Sequence, residues 1–416
     1  MIITRRQFLK YCAASATALG LSQTDLLRLE KAMAAVTSCS PDPLMGPVSC
    51  PRIIWIAGAN CSGCATSVLN FVAPMQGFAP KQTGIGLEPE VWSEYVPTIA
   101  AAYPLVGALD LDGDGLLDIG DVAVNVISID YAYIVAAAAG DVLNEYMYDL
   151  VTSGEPYVLM IEGSIQKAAK GLFCRIFEAP ADVVIAPTPL YPAGKTIPAG
   201  EDVTMRDGSL WLAQRANCAA VIALGTCATW GGIPAAKGNV TGAKSAWEWL
   251  QGKNQLGKPI VNIPGCPVHP DWLVAPVLEL ILNGLGSLAS KLDTSPDYKG
   301  RPKLTYLPVF PKNKTFCLGL DADPDHPKCP RFEIAPSITS LTQAGRSSGY
   351  PNGRCMRPVG CCGFKTGLTG AKPDCSTRMW NTHTNWCVGN NYPCQGCTDP
   401  DFPDGCSPFY TPMKGY

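Results

Sequence analysis

From residue 50 to about residue 290 the chain alternates short, unbroken apolar runs with longer stretches of mixed polarity. Arg52-Ile-Ile-Trp-Ile-Ala57 stops at Gly58, and Tyr157-Val-Leu-Met-Ile161 stops at Glu162-Gly-Ser164. Ala219-Ala-Val-Ile-Ala-Leu224 leads into Gly225-Thr-Cys227, and Pro259-Ile-Val-Asn-Ile263 leads into Pro264-Gly-Cys266. Each run is too short for a helix and lacks the alternating polarity of a half-exposed strand, so each predicts a parallel strand buried on both faces. Helices are predicted over 128–150, where Ala and Leu dominate, and over 271–283, which opens with Asp271 and closes before Gly284. The class is α/β, and three of the four strands run into a cysteine-bearing loop. In open α/β sheets those loops, at the carboxyl ends of the strands, hold the ligand. Beyond about residue 300 the periodicity gives way to Gly, Pro, Asn, Asp and Cys. Such a segment buries little apolar surface and needs covalent or metal staples.

Composition narrows the class. Hydrophobic residues make up 47% and charged residues 16% of the 416, which offsets ordering entropy by burial and excludes a disordered chain. The formal charge of -3, with no basic block, excludes nucleic acid as the partner. At the N-terminus Thr4-Arg-Arg-Gln-Phe-Leu-Lys10 precedes a weakly apolar stretch to Leu21 and then Ala32-Met-Ala34, a small-x-small cleavage site. That is the order of a twin-arginine export signal, over residues 1–35. The route carries folded proteins, so cofactors are expected to be assembled in the cytoplasm and the mature chain to reside in the periplasm or on the outer face of the cytoplasmic membrane. No apolar run of about 18 residues follows the signal. No transmembrane helix is expected beyond it, and any membrane attachment is expected to come from a partner.

Of nineteen cysteines, ten lie between Cys317 and Cys406. Cys61-Ser-Gly-Cys64 follows the first strand, and with Cys227 and Cys266 at neighbouring strand ends four thiolates converge, the ligand set of a 4Fe-4S cluster or a structural zinc. Disulfides are disfavoured for a chain folded in the reducing cytoplasm. Further on, His326-Pro-Lys-Cys329, Cys355 and Cys361 supply one imidazole and three thiols, and Cys375, Cys387, Cys394 and Cys397 supply four more. Three multi-cysteine sites without an evident acid/base or nucleophile set point to electron transfer. Separately, Asp110, Asp112, Asp114, Asp118 and Asp121 occupy positions 1, 3, 5, 9 and 12 of a calcium-type loop with Gly115 at position 6. Five carboxylates in that register repel one another without a cation.

With these motifs in view, the chain resembles the small subunit of nickel-iron hydrogenases. The resemblance rests on the twin-arginine signal, Cys61-Ser-Gly-Cys64, Glu162-Gly-Ser-Ile165, Gly225-Thr-Cys-Ala-Thr-Trp-Gly-Gly232, Pro264-Gly-Cys-Pro-Val-His-Pro-Asp-Trp272, Cys329-Pro-Arg331 and Cys394-Gln-Gly-Cys-Thr-Asp-Pro-Asp-Phe402. It implies a flavodoxin-like parallel-sheet domain over 50–295, interrupted by an insertion at 78–125 that carries the calcium-type loop, and a loop-rich iron-sulfur domain over 300–416. It also implies a large partner subunit holding the nickel-iron centre, and a cytochrome or other redox acceptor. Carried over by motif, Cys61, Cys64, Cys227 and Cys266 would hold a proximal 4Fe-4S cluster. His326, Cys329, Cys355 and Cys361 would hold the distal 4Fe-4S cluster, and Cys375, Cys394 and Cys397 the medial one.

Departures from the family pattern carry expectations of their own. Cys387 stands where many members have proline and a 3Fe-4S medial cluster, so a fourth thiolate would keep the fourth iron and lower the potential. Thr66 replaces a common glutamate, which leaves Glu162 as the carboxylate available for a proton relay. Ser62, Gly63 and Gly232 stand where the oxygen-tolerant form carries extra cysteines, so an ordinary cubane is expected. Cys362 is read as a bystander beside Cys361. Cys39 and Cys50 could pair after export, and Cys174 and Cys218 are read as buried small hydrophobes, while Cys317 and Cys406 have no assigned role. His269 and His383 are read as structural. Two other readings compete: the cluster-bearing subunit of a respiratory oxidoreductase complex, and a secreted, calcium-binding, disulfide-rich module.

Overall fold

The computed structural model describes residues 52–69, 72–74, 116–118, 128–134, 139–252, 258–270, 272–273 and 385–398, with isolated positions elsewhere up to residue 403. Its frame is a parallel five-stranded sheet. The strands are β1 (Arg52–Ala57), β2 (Ser128–Ala132), β3 (Tyr157–Glu162), β4 (Cys218–Leu224) and β5 (Ile260–Ile263). Their spatial order is β2-β1-β3-β4-β5, and every neighbouring pair runs parallel. This is the doubly wound order of flavodoxin-type sheets, whose direction of winding reverses between β1 and β3.

Burial follows the sequence pattern. All six residues of the central β3 are buried, and Ile54 of β1 sits opposite Leu159 of β3 in register. Ile54, Ile56, Leu159, Ile161, Val221 and Ala223 belong to one continuous core that also takes in Leu210, Trp211 and Leu212. Burying each of the larger side chains contributes about 1.5–3 kcal/mol.

Where a helix was expected over 128–150, the chain divides. Ser128–Ala132 is the edge strand β2, and the helix, α2, covers only Asp141–Ser153. A long-range ion pair overrides the local helix preference. Arg52 donates to Asp130 from Nε (3.1 Å) and Nη2 (2.9 Å), while Tyr146 of α2 donates to the same carboxylate at 2.8 Å. These bonds allow a buried aspartate in a strand and tie β2 to β1 and α2. The helix expected over 271–283 lies outside the described residues apart from 272–273, which are helical.

Three further helices serve the sheet: α1 (Gly63–Leu69) after β1, α3 (Met205–Gln214) before β4, and α4 (Gly225–Trp230) directly after it. The N-terminus of α3 is capped by Thr204, whose side chain accepts from the Asp207 amide. Asp207 is itself buried, receiving Tyr191 Oη at 2.6 Å, Lys195 Nζ at 2.7 Å and Arg206 Nε at 3.1 Å. Burial alone would raise its pKa. Lys195, Tyr191 and Arg206 outweigh that and hold the carboxyl below its ordinary value. Among the described residues no helix is long and apolar enough to cross a membrane.

Candidate functional site

The carboxyl ends of β1, β3, β4 and β5 open onto one place. After β1 the chain turns through Ser62, held at φ 60°, into α1, which carries Cys64. Glu162, the last residue of β3, is 1% exposed and accepts from the Ala65 amide at 3.2 Å, which fixes the start of α1. Ser67 of α1 donates to Val268 O at 2.6 Å, and Val268 N donates to Cys64 Sγ at 3.4 Å. The CxxC helix is thereby fastened to the loop that follows β5. The loops after β4 and β5 are fastened to each other as well: Thr226 N donates to Gly265 O, and Gly265 N donates to Thr226 Oγ1, both at 2.9 Å.

Glycines leave the space that the sulfurs fill. Gly225 has φ +82°, and a Cβ there would stand 2.2 Å from Cys64 Sγ. Gly232 has φ +57°, and its Cβ would stand 2.7 Å from Cys227 Sγ. A side chain at either position would be strained in its backbone and would collide with a thiol.

The electrostatics describe a half-buried group of like side chains, with Cys61 at its exposed rim. Burial pushes the Cys64 thiol well above its ordinary range, and Glu162, Cys227 and Cys266 add to the shift. Cys227 is pushed up to about 12 by burial and then by Cys266 and Cys61, and Cys266 to about 11 by burial, Cys61 and Cys387. Thiols so placed keep their protons unless a cation compensates them, and bound metal ionises a coordinating thiol outright. Among the described residues, no three His, Cys, Asp or Glu side chains close on a point fit for a single ion. A tetrahedral zinc would draw its sulfurs to within about 3.8 Å of one another. Four thiols that act on one another electrostatically, with glycines clearing space beside Cys64 and Cys227, fit a group held by several thiolates such as an iron-sulfur cluster.

The second cysteine group lies close by. Residues 385–398 form turns, with Tyr392 N and Asn390 N both donating to Cys387 O at 2.8 and 3.1 Å. Cys394 N donates to Cys361 Sγ at 3.1 Å. The carbonyl of Cys397 accepts from Thr226 Oγ1 at 2.5 Å, across 171 positions of sequence. Burial raises the Cys397 thiol, with Cys266 and Cys387 adding to the shift against a backbone hydrogen bond from Cys266. Cys361, Cys387, Cys394 and Cys397 are therefore within the described residues. His326, Cys329, Cys355 and Cys375 lie outside them, as do Asp110, Asp112, Asp114 and Asp121. Of the calcium-type loop only the backbone of Leu116–Asp118 is described, paired antiparallel with Val72–Pro74 just beyond α1.

Two features of the site were not read from the sequence. Thr226 stands inside the Gly225-Thr-Cys227 motif, where attention falls on the cysteine. The other is Tyr133, next after β2, whose hydroxyl accepts from Asn60 Nδ2 at 2.6 Å and pairs with Ser62 Oγ at 3.1 Å. Its Ala-rich surroundings hid it within an expected helix. Thr66 is exposed, and its hydroxyl donates to Ser62 O at 2.8 Å. His269 is buried with its ring 5.5 Å from that of Trp272, as expected of a structural histidine.

Comparison with known proteins bears on the whole chain. Residues 114–280 match the family described as NADH ubiquinone oxidoreductase, 20 Kd subunit, and residues 323–410 match the one described as the C-terminal part of the NiFe/NiFeSe hydrogenase small subunit. The chain is 29% identical over 420 residues to the periplasmic NiFeSe hydrogenase small subunit of Desulfomicrobium baculatum, covering 99% of each. It is 28% identical over 402 residues to the hydrogenase-2 small chain of Escherichia coli K12, covering 95% of this chain and 77% of that one. Among solved structures it is similar to the recombinant NiFeSe hydrogenase from Desulfovibrio vulgaris Hildenborough in the oxidised state. There the identity is 30% and the TM-score 0.57, over 89% of this chain and all of the other.

Proposed function

Because this chain belongs to the nickel-iron hydrogenase small-subunit family, we propose that it is the electron-transfer subunit of an exported heterodimer whose large subunit splits hydrogen into two protons and two electrons. The observation that carries the reading is the convergence of desolvated thiols at the carboxyl edge of the sheet, with the 385–398 turns stacked beside them. Iron-sulfur clusters, when bound, supply one-electron carriers. The chain's own residues hold, space and insulate them. Cys61, Cys64, Cys227 and Cys266 are the proposed proximal 4Fe-4S ligands. The Val268 amide aimed at Cys64 Sγ is a hydrogen bond of the kind that tunes a cluster's potential.

Cys387 joins Cys375, Cys394 and Cys397 as proposed ligands of a medial 4Fe-4S cluster. His326, Cys329, Cys355 and Cys361 are proposed for the distal one, from which electrons leave to a cytochrome or other acceptor. Glu162 is the proposed carboxylate of a proton relay. The large subunit is proposed to cover the face carrying the proximal thiols. Leu172, Phe173, Ile233 and Val240 are exposed apolar side chains proposed to join that interface, on segments laced together where Lys167 N and Ala168 N donate to Gly242 O and Thr241 O. The twin-arginine segment is proposed to export the complex, in keeping with relatives named periplasmic. Asp110, Asp112, Asp114, Asp118 and Asp121 are proposed to take a structural calcium ion, which would stiffen the insertion through the Leu116–Asp118 pairing.

The respiratory-complex reading is favoured by the match over 114–280 alone, and the hydrogenase reading accounts for 323–410 as well. The test is hydrogen-dependent viologen reduction by the complex purified anaerobically through a tag on this chain. Activity with a co-purifying large subunit is expected. A colourless, iron-free chain would sink the proposal.

A further inference from the structure

We propose that Thr226 is a positioning residue that locks the proximal-ligand loops to the medial-ligand turn and so governs electron passage between the two sites. The inference rests on the electron-transfer reading above. Its basis is one buried hydroxyl with two partners. Thr226 is 1% exposed. Its Oγ1 donates to Cys397 O at 2.5 Å and accepts from Gly265 N at 2.9 Å, while its own amide donates to Gly265 O at 2.9 Å.

Each partner is a ligand or borders one. Thr226 precedes Cys227, Gly265 precedes Cys266, and Cys397 belongs to the medial set. The hydroxyl therefore joins three segments that carry cluster ligands, and it bridges the sheet domain to the 385–398 turns. An apolar side chain cannot replace it. A valine of the same shape would leave the buried Gly265 N–H and the half-buried Cys397 carbonyl without this partner, and polar groups so left favour a local shift that re-pairs them. The shift would fall on the gap between the sites. Electrons from H2 → 2 H+ + 2 e- cross that gap singly. The proximal site is reoxidised as the medial site is reduced, and the viologen is the final oxidant. A change in spacing or coupling therefore slows this step without altering the hydrogen chemistry of the partner.

The test uses the whole heterodimer carrying Thr226→Val, Thr226→Ala or Thr226→Ser. It measures iron content, the magnetic splitting between the reduced proximal and medial clusters in electron paramagnetic resonance, and the rate at which hydrogen reduces the medial cluster. The Val and Ala forms are expected to keep their iron, show altered splitting and reduce the medial cluster about tenfold or more slowly, the scale of lost outer-shell partners. The Ser form should match the wild type. Unchanged splitting and rate in the Val form would overturn the inference. So would loss of iron from both Val and Ala forms with Ser fully loaded, since that marks a purely structural role. Absence of cluster signals from the wild-type complex itself would instead sink the electron-transfer reading.

Discussion

Cys227 and Cys266 reach their places because β4 and β5 are buried along most of their length and end at the same sheet edge, so packing far from the sulfurs decides where the sulfurs lie. Cys387, Cys394 and Cys397 are held differently. Their segment has turns in place of regular elements, is fixed by short-range bonds such as Tyr392 N to Cys387 O, and reaches the sheet domain through Thr226. One set of proposed ligands belongs to a scaffold built on buried strands, whereas the other belongs to a segment of turns with no helix or strand of its own among the described residues. The difference teaches that similar thiol sets can be prepared in advance or assembled by their cofactor, and the two should respond differently to the same chemical change.

The largest contrast is expected from removing one proposed ligand on each side. Cys266→Ser should cut viologen reduction by more than about a hundredfold, beyond the range seen for outer-shell partners, yet leave amide exchange in β3 and β4 protected. Cys397→Ser should abolish protection throughout 385–398. Equal loss of protection in both regions would erase the distinction. Next, Leu159→Ala, at a fully buried core position, should cost about 2–5 kcal/mol of stability by denaturant titration, without changing the cluster type that forms.

A smaller effect is expected at Asp207. Its folded pKa lies below the ordinary value, so its stabilising contribution is complete above the unfolded value of about 3.9 and is lost as pH falls through the folded one. Asp207→Asn should cost about 2 kcal/mol at neutral pH, discounted because Lys195 is partly exposed, and should flatten the acid limb of the melting-temperature profile. The smallest change in stability is expected from Cys387→Ser on the turn side. Its melting temperature should stay within about 1 °C, a shift worth less than about 1 kcal/mol for a chain of this length. The oxidised complex should gain a 3Fe-4S resonance, and an unchanged spectrum would remove Cys387 from the medial set.

The sheet was legible because four strands buried on both faces write themselves as unbroken apolar runs, and their cysteine-bearing ends follow from parallel topology. β2 was not legible. Ser128-Ile-Asp-Tyr-Ala132 looks like the opening of the alanine-rich stretch behind it, and the bonds that make it a strand come from Arg52 and Tyr146, which no local window contains. The convergence of Cys61, Cys64, Cys227 and Cys266 could be argued from strand ends. The hydrogen bonds of Thr226 and Tyr133 could not, because a hydroxyl's partner depends on which loops meet and leaves no period in the sequence.

The bond from Val268 N to Cys64 Sγ spans 204 positions of the chain, and this separation bears on how the protein comes to be folded at all. A cofactor gripped by both loops acts as a cross-link closing a ring of that length. In the chain-entropy account such a closure withdraws about 5 kcal/mol of freedom from the unfolded ensemble. Filling the proposed proximal site would then also close this ring topologically. Without the proposed cofactor the sheet would keep its packing, but the two loops would lack this cross-link and open more readily.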